Sequence, residues 1–430
     1  MKSALILYNI IFVPLLYIAF RLSGLFNKKI SRGIKGRAHL FSQLKAQLKN
    51  DSQTDVSFLI HAASMGEYEQ ARPVVKLIKK KIPNACIILS LFSPSVYENI
   101  KNNSDVDITT YLPFDSPFAV RKFLNLLSPD FLLITRHDIW PNLLWQAHRR
   151  GIVSMLIDAS VHEGSLRHKP VMRHFNRLLF ACFDHVCIIS ETAHSGMKKF
   201  LNRSQKITIT GDTRFDQVVA RATETPVEEL LPASFLSHER IFIAGSTWPE
   251  DEEIIIHAYQ KAKQQVAALK LIFAPHELTD DHIDGALKKC ASAGINCVKM
   301  SNFIPSNSGV DALLIDKMGI LANIYCAGQV AYVGGSFGPG VHSVIEAAAH
   351  KIPVTFGPRM RNSAEAIEMV DSQCGFIIKN GDELSEYLVS WFNNTEQLEK
   401  LSHSAEKFVS SRAGASQKIV DLILEELAGS

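Results

Sequence analysis

Residues 56–90 read VSFLIHAASMGEYEQARPVVKLIKKKIPNACIILS. Val56–Ala62 is an apolar run without strict alternation, as in a strand buried on both faces. Tyr68–Lys81 places its apolar residues at helical spacing, and Ala85–Ser90 is a second buried-strand run. Strand, helix, strand in this order predicts a parallel sheet covered by helices. The rhythm continues through Ile108–Leu112, Phe131–Thr135, Ile152–Ile157, His185–Ser190 and Lys206–Thr210. It breaks at Asp216–Glu239, where Pro226, Pro232 and a Thr/Glu-rich string read as a linker. It restarts with Arg240–Ser246, Leu269–Pro275, Ile295–Met300, Ala312–Asp316, Gln329–Gly335, Pro353–Gly357 and Gly375–Lys379, and helices close the chain over Asp382–Gly429. The expected fold class is α/β, with two Rossmann-like doubly wound domains facing a cleft. The expected division is 1–26, 27–220 and 221–430. Ligands of such sheets bind beyond the carboxyl ends of the strands.

The 430-residue length fits more than one domain, and 47% hydrophobic with 21% charged residues is a globular composition. The seven cysteines include no Cys-x-x-Cys, which argues against a disulfide framework or zinc ribbon. Residues 1–50 hold nine Lys/Arg and no acid, whereas the remainder carries 37 basic and 43 acidic side chains. A mildly acidic body argues against general nucleic-acid binding, which needs a basic face.

The positive end has a purpose of its own. Ser3–Phe20 carries no charge and, as a helix, would be about 27 Å long, near the hydrocarbon thickness of a bilayer. Arg21, Lys28, Lys29, Arg32, Lys35 and Arg37 follow. Cations after an apolar segment stay cytoplasmic and attract anionic headgroups. No small-x-small cleavage site follows and the cations lie on the wrong flank for a secretory signal. Residues 1–26 therefore read as a membrane anchor and 28–37 as its basic companion, with spanning and interfacial placement both open.

Four constellations could carry chemistry. His61-Ala-Ala-Ser-Met-Gly-Glu67 lies where a strand turns into a helix. Ser64-x-x-Glu67 is a capping box on spacing alone, yet a capping Glu can also serve as a base if a hydroxyl approaches. Asp138 in Thr135-Arg-His-Asp-Ile-Trp-Pro-Asn142 could be a second acid or merely pair with a neighbouring Arg. Gly334-Gly-Ser-Phe-Gly-Pro-Gly340 enters a helical run Val344–His350. Its free amides, at Gly335 and Ser336 among others, read as an anion cradle, with Glu346 one turn in for ribose hydroxyls. The alternative is a tight connection that needs glycine only for its dihedrals. Gly245-Ser-Thr-Trp-Pro-Glu-Asp-Glu-Glu253 is a helix start, with Ser246 and Thr247 as possible phosphate contacts. Asp105-Val-Asp107 resembles a metal-binding pair but reads as a solvated loop. There is no His-x-x-x-His.

Taken in order, these residues resemble the 3-deoxy-D-manno-octulosonic acid (Kdo) transferases of lipid A biosynthesis. The resemblance rests on the anchor, His61–Glu67, Leu112-Pro-Phe-Asp115, Asp138-Ile-Trp-Pro-Asn142 and Gly211-Asp-Thr-Arg-Phe-Asp216. In the second half it rests on Gly245-Ser-Thr247, Met318-Gly319, Tyr332-Val-Gly-Gly-Ser336 and His342-Ser-Val-Ile-Glu-Ala-Ala348. It implies a GT-B fold and an inverting, metal-independent transfer from CMP-Kdo to a lipid A precursor of the lipid IVA type, with no cofactor. The implied place is the cytoplasmic face of the inner membrane, in lipopolysaccharide synthesis. Glu67 falls on the family's base and Asp138 on a second acidic position, normally Glu. The nucleotide contacts fall on Pro275, His276, Met318, Gly319, Ile320, Ser343, Val344, Ile345 and Glu346, and Arg214 could help His276 absorb phosphate charge. The family often has Arg at His276, Glu at Ile320, Asn at Ser343 and Gly at Val96. Rival readings are a UDP-sugar transferase or epimerase of the same fold, a non-catalytic nucleotide-binding relic, and a nicotinamide dehydrogenase, which lacks its glycine fingerprint here.

Overall fold

A computed structural model describes residues 2–48, 54–100, 105–161, 165–201, 205–223, 229–236, 240–304 and 309–429. The chain divides into two compact units. Met1–Gln217 together with Gly414–Ser430 forms the first, and Val218–Ala413 the second.

The first unit holds a seven-stranded, wholly parallel sheet in the order β3-β2-β1-β4-β5-β6-β7. Its strands are β1 Val56–Ala62, β2 Ala85–Leu91, β3 Ile108–Tyr111, β4 Phe131–Thr135, β5 Val153–Ala159, β6 His185–Ile188 and β7 Lys206–Ile209. Both faces are buried, which is why the runs show no polar alternation. Phe58 and Ile60 of β1 enter one core with Val74 and Val75 of the helix Met65–Lys81, while Leu59 enters the other with Phe123 and Leu144.

The second unit repeats the plan with a seven-stranded parallel sheet ordered β10-β11-β9-β8-β12-β13-β14. Its strands are β8 Ile241–Thr247, β9 Lys270–Pro275, β10 Cys297–Lys299, β11 Ala312–Leu314, β12 Val330–Val333, β13 Val354–Phe356 and β14 Gly375–Ile377. Trp391, Tyr259 and Phe273 are among its largest buried side chains. Both units are thus doubly wound, as the βαβ rhythm predicts.

Three expectations change. The helix Ala415–Gly429 packs in the first unit: Ile419, Val420 and Ile423 fill the core under the helix Met65–Lys81. Asp216 fixes its start, accepting from the amides of Gly414 (2.6 Å) and Ser416 (2.9 Å). The second unit therefore ends at Ala413, not at residue 430, and begins at Val218 rather than residue 221. The expected linker begins inside the helix Thr213–Ala222 and contains the short helix Ala233–Leu236; its residues 224–228 and 237–239 lie outside the described residues. Asp105-Val-Asp107 is not simply solvated, because Asp107 pairs with Lys79 and accepts from the Ile87 amide, both at 2.6 Å.

The N-terminal segment is helical from Lys2 to Phe26, with a widened π turn at Tyr8–Phe12 in which the Val13 amide bonds to the Tyr8 carbonyl. Pro14 follows immediately. A proline has no amide hydrogen to give, so it fits at the restart of regular helix. Ala4–Phe26 is long and apolar enough to cross a membrane. Asn27 breaks the helix and caps the next, Lys28–Ala38, accepting from the Lys29 and Ile30 amides. Arg37 then fastens that helix down, donating to the carbonyls of Leu112 (2.8 Å), Gly33 and Phe92 (2.9 Å each).

Candidate active site

In the first sheet the strand order reverses between β1 and β4. Loops leaving the two strands there part in opposite directions and leave a crevice, the usual ligand position in an open α/β sheet. Glu67 stands in the first turn of the helix that follows β1, and Asp138 stands on the loop after β4.

Glu67 forms the capping box read from the sequence. Its amide donates to Ser64 Oγ (3.3 Å), and its Oε2 accepts from the amides of Ala63 (2.6 Å) and Ser64 (3.3 Å). Burial pushes its carboxyl above the ordinary range; the Ala63 amide pulls it back, and the charge of Asp138 adds to the rise. Asp138 behaves oppositely. Burial alone would raise it, but the hydrogen bond and charge of His61 and the Trp140 indole outweigh burial and hold it below the ordinary value. His61 Nε2 and Trp140 Nε1 both donate to Asp138 Oδ2 at 2.9 Å. His61 is fully buried, with Nδ1 3.0 Å from Ser90 Oγ. The Arg pairing considered for Asp138 is replaced by this histidine and indole clamp.

Two cations stand near His137, and one of them, Arg167, also acts on Asp138. Arg136 adopts a left-handed backbone (φ +59°), and its Nε is buried without a hydrogen-bond partner among the described residues. Arg167 donates to the His137 carbonyl at 2.7 Å. Burial, then Arg136 and Arg167, lower His137 to about 4, so its ring is neutral at pH 7. Sequence reading missed Arg167, which has no motif around it. Arg214 belongs to the first unit and is held by Asp212, Nη2 to Oδ2 at 2.6 Å.

Asp115, a motif residue, is a structural hub. It is fully buried and accepts from the amides of Asn142 (3.0 Å) and Leu143 (3.2 Å) and from the Tyr8 hydroxyl (3.0 Å). Burial nevertheless pushes its carboxyl up to about 7.

In the second sheet the order reverses between β8 and β12. Gly334, after β12, passes so close to β8 that a Cβ would overlap the Ser246 carbonyl oxygen. Beside this crossing lies a pocket of about 260 Å³. Ser246, Pro275, His276, Met318, Gly319 and Glu346 line it. Thr247, Ile320, Gly335, Ser336, Val344 and Ile345 are buried and do not line the pocket, and Ser343 is exposed. Lys317 and Arg221 also line the pocket. Arg221 donates to the Gly319 carbonyl (2.7 Å) and Asn323 Oδ1 (3.2 Å). It escaped notice because its stretch read as linker. Burial raises the Glu346 carboxyl, and Arg221 offsets part of the rise.

The glycine-rich loop is not the open cradle expected. The Gly335 amide is taken by Asp251 (2.7 Å), Gly334 by the Gly245 carbonyl, and Gly338 and Gly340 by the Gly335 carbonyl. Gly335 at φ +94° and Gly340 at φ +132° are there for their dihedrals. The buried Asp251 also accepts from Tyr332 Oη (2.6 Å) and the Trp248 amide (2.9 Å), so this helix start braces the loop. On the pocket wall the His276 and His342 rings stack at 4.1 Å, and Trp248 Nε1 donates to His342 Nε2 (2.8 Å). Burial, then His276, lower the His342 pKa.

Residues 34–217 match the family model of the 3-deoxy-D-manno-octulosonic-acid transferases (kdotransferases). A 3-deoxy-D-manno-octulosonic acid transferase of Haemophilus influenzae is 27% identical over 85% of this chain and 86% of its own length. One of Aquifex aeolicus is 29% identical over 76% and 83%. Among solved structures, the UDP-GlcNAc 2-epimerase of Neisseria meningitidis covers 86% of this chain and 100% of its own at TM-score 0.62. A putative UDP-N-acetylglucosamine 2-epimerase of Listeria monocytogenes covers 87% and 97% at 0.61. At 13% and 15% identity these two share the two-unit GT-B architecture and no more. The family model, the relatives matched along most of their length and the ordered motifs together make the chain similar to the Kdo transferases over most of its length.

Proposed function

We propose that the chain transfers Kdo from CMP-Kdo to a lipid A precursor of the lipid IVA type, with inversion, at the cytoplasmic face of the inner membrane. The observation that carries the reading is the carboxylate pair at the first switch point. Glu67 has a raised pKa, suited to taking a proton, and Asp138 is kept ionised by His61 and Trp140. Glu67 removes the proton of the acceptor hydroxyl as it attacks the anomeric carbon of Kdo. CMP leaves with the electron pair of the broken bond. A phosphate leaving group needs little acid assistance, so cations suffice to meet its charge. Arg214 and His276 are assigned that work, and Arg221 and Lys317 bring further positive charge to the pocket of the second unit. Glu346 is assigned the ribose.

Membrane attachment fits the N-terminal helix. Ile10, Phe12, Leu15 and Leu22 on it are exposed, while Tyr8, Asn9, Tyr17 and Phe20 rest on the body of the first unit. Contacts from residue 8 to residue 20 extend over about 18 Å of helix. A helix so docked lies in the interface rather than standing through the bilayer.

The test is incubation of purified protein with CMP-Kdo and a lipid A precursor, with mass analysis of the lipid and of the released nucleotide. A lipid heavier by one or more Kdo units with CMP released is the expected result. Turnover of a UDP-sugar, or no product, overturns the reading.

A further inference from the structure

A groove of about 360 Å³ opens between the N-terminal helix and the helix Lys28–Ala38. That is within the roughly 300–1,000 Å³ range of ligand pockets. Its walls are mostly apolar, with Tyr17, Ile34, Ala38, Phe41 and Phe114 prominent and no acidic residue among them. Arg21 and Lys35, both exposed, stand beside it. Among the described residues Arg21 donates only to the Tyr17 hydroxyl and Lys35 has no ion-pair partner. An apolar slot with two uncompensated cations, next to a helix suited to a membrane, is complementary to an anionic amphiphile.

The groove also connects to the chemistry. Tyr17 and Phe20 pack on Phe114 at 5.3 and 4.9 Å between centroids. Phe20 reaches Phe92 (5.7 Å), Phe92 stacks on Trp140 (5.1 Å), and Trp140 donates to Asp138 (2.9 Å). An unbroken aromatic path thus runs within the first unit from the groove to the carboxylate pair. A bulk lipid has no use for such a path, whereas a lipid whose sugar must reach Asp138 and Glu67 does.

We propose that this groove seats an acyl chain of the phosphorylated lipid acceptor, with its phosphate beside Arg21 and Lys35. The proposal rests on the acceptor reading given above and adds the place where the lipid part is held. It also assigns the N-terminal helix a share in substrate binding, beyond attachment.

Photo-crosslinking of the full chain in detergent tests this with or without turnover. The probe is a bisphosphorylated, acylated glucosamine disaccharide with a diazirine in one acyl chain. Crosslinks should map to peptides covering residues 34–41 and 113–119, and excess unlabelled acceptor should compete where phosphatidylglycerol does not. Ala38→Trp, which fills the groove, should raise KM for the acylated acceptor about tenfold, the size expected if about two methylenes lose their burial. It should leave KM for a deacylated acceptor unchanged. Lys35→Glu keeps the groove open and should weaken crosslinking of the bisphosphorylated probe more than of its dephosphorylated form. Crosslinks elsewhere, competition by phosphatidylglycerol alone, or equal effects on acylated and deacylated acceptors would overturn the proposal. Correct crosslinks without any Kdo transfer would instead count against the catalytic reading and leave the groove assignment standing.

Discussion

His61 Nε2 and Asp138 Oδ2 lie 2.9 Å apart, and this bond joins the end of β1 to the loop after β4 across the point where the sheet reverses. It supplies a positioned donor to one carboxylate and leaves the other, Glu67, to carry the raised proton affinity. Because Asp138 contributes to that rise, the two residues are coupled. Asp138→Asn should therefore do more than slow the reaction. A base works only when ionised, so activity falls as pH drops through the Glu67 pKa. Removing the neighbouring negative charge lowers that pKa, and the acid limb of log kcat/KM against pH should move to lower pH. An unmoved limb with a smaller plateau would show that Asp138 does not tune Glu67.

Glu67→Gln should keep the fold and abolish most turnover. The amide oxygen of Gln can still accept from Ala63 and Ser64, so the cap survives. Loss of a general base costs about 10²–10⁴ in rate. Circular dichroism and the lipid mass assay check the two halves, and near-normal turnover would reduce Glu67 to its capping role.

Glu346→Ala should weaken CMP by about 1.5–3 kcal/mol, the worth of one charge-assisted hydrogen bond. Calorimetry on this variant and on Glu67→Gln should show a contrast, since the two carboxylates belong to different units. Equal CMP affinity of wild type and Glu346→Ala would remove the ribose assignment.

Tyr8→Phe should lower the thermal midpoint more at pH 8.5 than at pH 5.5. Asp115 is raised from 3.8 to about 7, so its contribution to stability is complete below about 4 and is lost as pH rises through about 7. The Tyr8 hydroxyl supports the ionised form and so limits that loss at high pH. A pH-independent difference between wild type and Tyr8→Phe would place the proton elsewhere. Deleting residues 1–26 removes the same bond together with the exposed apolar face. The truncated protein should leave the membrane fraction on a high-salt wash and also melt earlier than the full chain.

The apolar strand runs were legible because burial on both faces leaves no room for polar residues, and the capping box was legible because its spacing is local. What depends on contacts distant in sequence was hidden. The periodicity of Ala415–Gly429 shows an apolar face but not which sheet it covers, and only Asp216 and the core around Ile419 decide that. The glycines after β12 promised free amides, and Asp251, more than eighty residues earlier in the chain, consumes one of them. Asp115 looked like part of a recognition motif, yet its partners Tyr8 and Asn142 show it to be a joint between the N-terminal helix and the body.

The return of the helix Ala415–Gly429 to the first unit also sets a timetable for synthesis. Ile419, Val420 and Ile423 leave the ribosome after the entire second unit, although they cover a sheet translated long before. Until then the earliest strands present a bare apolar strip to solvent, the kind of surface on which nascent chains misassemble. The second unit, tethered at both Val218 and Ala413, can fold as an insert while its host waits. A premature stop near residue 414 would thus harm the part made first, and protease sensitivity of chains stalled before and after residue 423 would reveal it.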